Sequence, residues 1–291
     1  LPEFPEVSVE VCDKLMDEAV SPLIDAWRES PMGESRRGEA VARRIRRTAK
    51  RTARNIVSQY ADSSFRPAQM EFVFGQNGLS PIVLELGDGT FVYLQGRIDR
   101  VDVMTGGGLR VIDYKSGSRK FDPTLVYWGL QLQLLLYLAA ALARVPGSHA
   151  AGFFYCRIAD PTVQTESRIR EEVERQIAKK LALSGISLSD VTILRAQGGQ
   201  QAAMVTKDGK PNGRFAASMV DEAGMEKLLT FARNKAAALA DEIYAGEIDD
   251  SPVERETFNA CQNCEYSAIC VFDPLRKPRR RLTAKRLEDL T

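Results

Sequence analysis

Two short acidic segments constrain this chain more than any other feature. They are Gly96-Arg97-Ile98-Asp99-Arg100 and Val111-Ile112-Asp113-Tyr114-Lys115-Ser116-Gly117, and their aspartates stand fourteen residues apart. Phe91 to Met104 and Leu109 to Tyr114 alternate and are rich in strand-forming residues, while Thr105-Gly106-Gly107-Gly108 between them reads as a turn. A hairpin folded about Gly106 sets Asp99 across from Asp113, and Arg97 across from Lys115. Side chains at i and i+2 of a strand share a face, so Asp113 and Lys115 point the same way. Cβ atoms directly opposite one another in such a ladder lie about 4.5–5.5 Å apart. Two carboxylates that close repel each other unless a cation sits between them.

Hard divalent cations such as Mg²⁺ or Mn²⁺ take one or two carboxylates together with water and phosphate oxygens. A lysine two residues on neutralises charge developing on a phosphate or orients a water. That combination has the logic of metal-assisted phosphodiester hydrolysis. The plain alternative is an exposed hairpin with scattered charges, and the glycine-rich turn leaves room for a slip of register. The next segment, Gly129 to Ala143, predicts an apolar helix with Gln133 and Tyr137 one turn apart on a single face. These two polar groups either reach a site or, for Gln133, satisfy a neighbouring backbone group.

In order and spacing, Gly-Arg-Ile-Asp-Arg, then Ile-Asp-Tyr-Lys-Ser-Gly, then Gln133-x-x-x-Tyr137 resemble the RecB-type branch of the PD-(D/E)XK nucleases. Within that branch, three further segments are similar to the AddB family, the B subunits of AddAB helicase–nucleases. They are Phe65-Arg66-Pro67 followed by Glu71-Phe72-Val73-Phe74-Gly75, Gly152-Phe153-Phe154-Tyr155 with Asp160-Pro161, and Cys261-x2-Cys264-x5-Cys270 with Tyr266 and Phe272-Asp273. The resemblance runs from about residue 35 to about residue 273. It implies a restriction-endonuclease-like α/β core with a mixed central sheet flanked by helices. Asp99 and Asp113 would bind Mg²⁺ or Mn²⁺, joined by the main-chain carbonyl of Tyr114, and Lys115 would position or polarise the attacking water. Gln133 and Tyr137 would support the site or contact DNA, and Glu71 matches an acidic position counted with the site. The resemblance further implies a bacterial cytoplasmic protein that trims double-strand breaks on the 5′-terminated strand, paired with an AddA-like A subunit. Two other readings stay open: a non-catalytic DNA- or protein-binding module that keeps the fold, and a stand-alone RecB-like nuclease of the CRISPR-adaptation type.

The five cysteines are Cys12, Cys156, Cys261, Cys264 and Cys270, an odd count that argues against a disulfide framework. Cys156 reads as a small buried hydrophobe. Three thiols as close in sequence as Cys261, Cys264 and Cys270 suit a soft metal, and the residues alone leave zinc and an iron–sulfur cluster both open. The resemblance implies [4Fe–4S], with a fourth cysteine far upstream. Cys12 is the one upstream cysteine, and its neighbours Val9, Leu15, Met16 and Ala19 place it on the apolar face of an amphipathic helix, where packing is its expected role. The resemblance also implies an upstream metal-ligating histidine. The one histidine here is His149, in a loop after the Gln-Tyr helix. The reading that unites these two departures is a piece cut from a longer protein; divergence is its alternative.

Composition fits a folded core, with 44% hydrophobic and 27% charged residues and a formal net charge of +1. No run reaches the ~18 consecutive apolar residues of a membrane span, and no G-x-x-x-x-G-K-[ST] motif for ATP is present. Basic residues crowd a helix from Arg36 to Arg54, with Val41, Ile45, Ala49 and Ile56 as its apolar stripe, and crowd the tail from Arg276 to Arg286. Both clusters suit phosphate backbones or a protein partner. Ser167 to Leu183 and Asp221 to Ala245 predict helices, and Ala203 to Phe215 an exposed hairpin. The expected divisions are an N-terminal helical region 1–64, a nuclease core 65–250, and an iron–sulfur cysteine segment with basic tail 251–291.

Overall fold

The computed structural model describes residues 7–76, 80–164, 169–255, 258–262 and 264–291. In chain order the main elements are α1 (Val9–Arg28), α2 (Arg36–Ala61), β1 (Arg66–Phe74), β2 (Ile82–Glu85), β3 (Phe91–Leu94), β4 (Gly96–Val103), β5 (Gly108–Lys115), α3 (Pro123–Tyr127), α4 (Gln133–Arg144), β6 (His149–Arg157), α5 (Arg170–Lys180), β7 (Ser184–Leu188), α6 (Val191–Ala196), β8 (Met219–Val220) and α7 (Glu222–Tyr244). A six-stranded mixed sheet in the order β1-β4-β5-β6-β7-β8 forms the centre. The β1/β4, β4/β5 and β6/β7 pairs are antiparallel, and β5/β6 and β7/β8 are parallel. This is the mixed α/β architecture that the resemblance implies.

The hairpin of β4 and β5 turns through Gly106 and Gly107, both at positive φ (96° and 89°), a conformation that side chains with a Cβ resist. The register that follows pairs Val103 with Leu109 and Arg100 with Ile112, so it is centred on Gly106. One face of the sheet carries Val101, Leu109, Val111 and Phe153 against Leu134, Leu135 and Leu138 of α4 and Leu228 and Ala232 of α7. The α4 helix lies in the crossover between the parallel strands β5 and β6, which is why a long connection separates them.

The other face is covered by α2, α6 and the 3₁₀ turn Gly199–Met204, and it hides charge. Arg100, Asp102 and Arg110 are all at most 1% exposed. Asp102 receives Arg110 Nε at 2.9 Å and the Tyr60 hydroxyl at 2.8 Å, and Arg100 Nε stands 3.1 Å from it. Arg110 also donates to Gln197 Oε1 (2.8 Å), and Arg100 donates to the Tyr114 hydroxyl (2.7 Å). Two guanidiniums thus share one carboxylate, with the Tyr60 ring lying under Arg100 and the Phe65 ring under Arg110.

Several sequence expectations are corrected. The strand expected over Phe91 to Met104 breaks at Gln95, because β3 pairs with β2 in a separate two-stranded sheet while β4 pairs with β1. The helix expected from Gly129 begins at Gln133; Gly129 takes φ +80°, and its turn ends α3 first. The hairpin expected over Ala203 to Phe215 is a turn closed by one bridge, Val205 to Pro211, between two 3₁₀ segments. A proline lacks the N–H that would extend a ladder there. The start expected at Ser167 for the next helix lies outside the described residues; its described part is α5, from Arg170.

In α2 the buried positions are Gly38, Ala42, Thr52, Gln59 and Tyr60, while Val41 and Ile45 stay exposed (39% and 45%). Ion pairs fix that rotation: Lys50 and Arg46 reach Asp17 of α1, Arg54 reaches Asp13, and Arg51 reaches Glu174 of α5. In α1, Cys12 and Ile24 are buried, but Val9 and Leu15 are about half exposed (51% and 55%). The basic tail is docked as well. Lys285 lies over the Tyr127 ring at 4.2 Å, Arg280 over Trp128 at 5.8 Å, and Leu282 and Leu290 are buried. Among the described residues no helix is long and apolar enough to cross a membrane.

Candidate active site

The site forms where β4 and β5 stop pairing. The last pair is Arg100↔Ile112, so Asp99 and Asp113 each lie one residue beyond it. There the Asp99 carboxylate enters the ladder and accepts the Tyr114 N–H at 2.7 Å. A side chain taking a backbone donor in this way holds Asp99 at the seam. Asp113 is 2% exposed. Burial pushes its carboxyl above the ordinary carboxylate range, with the nearby Asp99 charge adding to the rise and Lys115 pulling the other way. Lys115 Nζ stands 2.7 Å from Asp113 Oδ2 as an ion pair, yet that buried oxygen takes no aligned hydrogen bond.

From Lys115 a chain of contacts runs onto α4. Lys115 Nζ donates to Gln133 Oε1 (3.2 Å), and Gln133 Nε2 donates to the Tyr137 hydroxyl (2.9 Å). Gln133 and Tyr137 therefore share the stripe of α4 that faces the hairpin. The Tyr137 ring meets Phe74 edge-on at 5.9 Å between centroids. Gly96 makes room for both rings, since a Cβ there would lie 2.8 Å from Phe74 and 3.3 Å from Tyr137.

Glu71 sits across β1 and β4 from Asp99, between the pairs Met70↔Arg100 and Phe72↔Ile98. It is the one non-glycine residue with positive φ (51°) among the described residues. Its carboxylate is bound to Arg97 at 2.9 Å, with both side chains mostly exposed. Arg97 is thus paired with Glu71.

One contributor has no prominence in the sequence. Gln131 is 5% exposed; it accepts the Asp122 N–H (2.8 Å) and donates to the Lys120 carbonyl (2.8 Å). It pins the loop that leaves Lys115. Its only sequence signal is that it stands two residues before Gln133.

A hard cation fits the hairpin site. Two neighbouring carboxylates, one of them buried, are donors that Mg²⁺ accepts alongside water. The cysteine segment is the other candidate, and neither it nor the two-carboxylate seam brings together three such side chains among the described residues. Cys261 and Cys264 are half-buried, Cys270 is exposed, and all are free thiols. Among the described residues no group of three or more His, Cys, Asp or Glu side chains is placed to hold a metal ion. Among the described residues the three thiols therefore do not assemble a cluster shell. Cys12 lies in α1, which packs on α2. Burial pushes its thiol up.

Two strand-end aspartates and a lysine thus meet at one seam of a mixed sheet. The sequence model of the PD-(D/E)XK nuclease superfamily matches residues 3–271, and the chain belongs to that superfamily. Curated relatives are named as the B subunit of an ATP-dependent helicase/deoxyribonuclease. The one from Alkaliphilus metalliredigens is 32% identical over 93% of this chain, that from Clostridium tetani 34% over 92%, and that from Caldanaerobacter subterraneus 35% over 92%. The chain spans about a quarter of the length of these relatives, 25%, 25% and 24% respectively.

Proposed function

We propose that this chain is the nuclease portion of the B subunit of a helicase–nuclease and hydrolyses DNA phosphodiester bonds during double-strand-break processing. The observation that carries the reading is the seam itself, with Asp99 and the buried Asp113 just beyond the last β4–β5 pair and Lys115 ion-paired to Asp113. Asp99, Asp113 and the Tyr114 carbonyl would hold the divalent cation. When bound, that cation lowers the pKa of water and stabilises charge on the phosphate. Lys115 holds its ammonium at the seam, where it stabilises the anionic transition state and orients the attacking water. Gln133 fixes the Lys115 side chain, and Tyr137 in turn fixes Gln133. Asp99, by holding the Tyr114 N–H, fixes the Asp113–Tyr114 peptide at the seam. Glu71 would join only after releasing Arg97.

The names of the relatives support a helicase-linked complex with an A subunit. Cutting of the 5′-terminated strand follows from the resemblance to the AddB family. The test is cleavage of end-labelled linear DNA in Mg²⁺ or Mn²⁺, with EDTA and Asp113→Asn as controls. Activity that persists in EDTA, or at the wild-type rate in the variant, would refute the reading. Labelling each strand end separately reads the polarity.

A further inference from the structure

The parallel pairing of β5 with β6 extends the site sideways. Its register sets Asp113 beside Tyr155 and Lys115 beside Arg157, so each pair shares a face at one strand spacing, about 4.8 Å. From Tyr155 and Arg157 a groove of about 1930 Å³ opens across the ends of β6 and β7. Its walls carry Arg119, Lys120, Lys179 and Arg286, all exposed. Three carboxylates also line it, and two of them are engaged: Asp160 is paired with Arg47 and Arg51, and Asp221 accepts the Gly224 N–H at the start of α7. Glu288 is the third. The groove is therefore net positive. Arg157 is half-buried on its floor, and its Nε is buried with no hydrogen-bond partner among the described residues. Phe121 and Phe215, both half-buried, add apolar surface between the cations. Tyr155 is 2% exposed, and burial pushes its hydroxyl up to about 12, so it stays neutral beneath the floor.

Cations that track a backbone, interleaved with rings that meet bases, are the chemistry of single-stranded nucleic acid recognition. We propose that this groove is the track of a single DNA strand, with Arg157 binding a phosphate next to the one at the Asp99–Asp113 seam. The proposal rests on the nuclease reading for the identity of the strand, but strand binding is measurable without cleavage.

The test uses the full chain and a fluorescein-labelled oligothymidylate, with anisotropy recorded in EDTA at several salt concentrations. Arg157→Ala weakens binding about tenfold and lowers the salt slope by about 0.7, the share of one phosphate on a single strand. Lys179→Ala, on an exposed wall where folding is not at risk, gives a smaller loss and the same slope change. Wild-type affinity in both folded variants overturns the proposal, and so does an equal loss for a duplex of the same length. Wild-type protein that binds through Arg157 and Lys179 but cleaves nothing in Mn²⁺ upholds the groove and refutes the nuclease reading.

Discussion

At Asp113 a carboxylate is held almost out of water beside another carboxylate, with one lysine for compensation. Its folded pKa is raised, so the stability linked to it is present below the ordinary carboxylate value and is lost as pH rises through the folded value. In metal-free protein at neutral pH, Asp113→Asn should therefore raise the melting temperature, by about 2–4 °C for each kcal/mol of relieved burial cost. The gain should vanish below about pH 4, where both states are protonated. The same substitution should abolish Mg²⁺-dependent cleavage. Thermal melts across pH in EDTA check the first effect; a melting temperature below wild type at pH 7 would contradict it. Gly96→Ala tests the neighbouring packing. Its Cβ would press on Phe74 and Tyr137, costing roughly 1–3 kcal/mol and lowering cleavage by displacing Tyr137. Denaturant melts read the cost, and unchanged stability with full activity would show that the rings move freely.

The β4–β5 hairpin was the most legible element, because glycine chemistry and strand alternation both specify its register. Chain order and the Gln-x-x-x-Tyr spacing also brought α4 to the right place, although its start lay four residues later than the apolar run suggested. The basic face of α2 was visible as composition, but its use was not. Charge density does not reveal which carboxylates will pack against it, and here α1 and α5 supply them. Replacing Arg46, Lys50 and Arg54 together with glutamine should lower the melting temperature and leave affinity for DNA unchanged within about twofold, because Asp13 and Asp17 already engage these side chains. A large loss of DNA affinity in the folded triple variant would return α2 to the DNA interface. Gln131 and Arg157 were illegible for a related reason: one acts through loop backbone groups, the other through a strand pairing 42 residues away from Lys115.

Across the whole molecule, the sheet separates two buried polar centres that the linear sequence gives no reason to connect. Arg100, Asp102 and Arg110 alternate on β4 and β5 with the residues of the site, so the hairpin that presents Asp99 and Asp113 also carries this network. Asp102→Asn should destabilise the protein by about 3–5 kcal/mol, since two buried guanidiniums would lose the carboxylate they share. Urea unfolding checks this, and a loss below about 1 kcal/mol would mean that water reaches the network. Asp102→Leu with Arg110→Met, which removes a charge pair at similar volume, should recover part of that loss.

That buried network also gives the sheet an electrical polarity. Two guanidiniums against one carboxylate leave a positive excess behind β4 and β5, and two carboxylates against one lysine leave a negative excess of the same size in front. The layer behaves as a small charged capacitor, with its positive plate sealed from solvent and its negative plate at the seam. Burial nonetheless keeps the Asp113 carboxyl above the ordinary carboxylate range, so this plate charges at a higher pH than a free aspartate would.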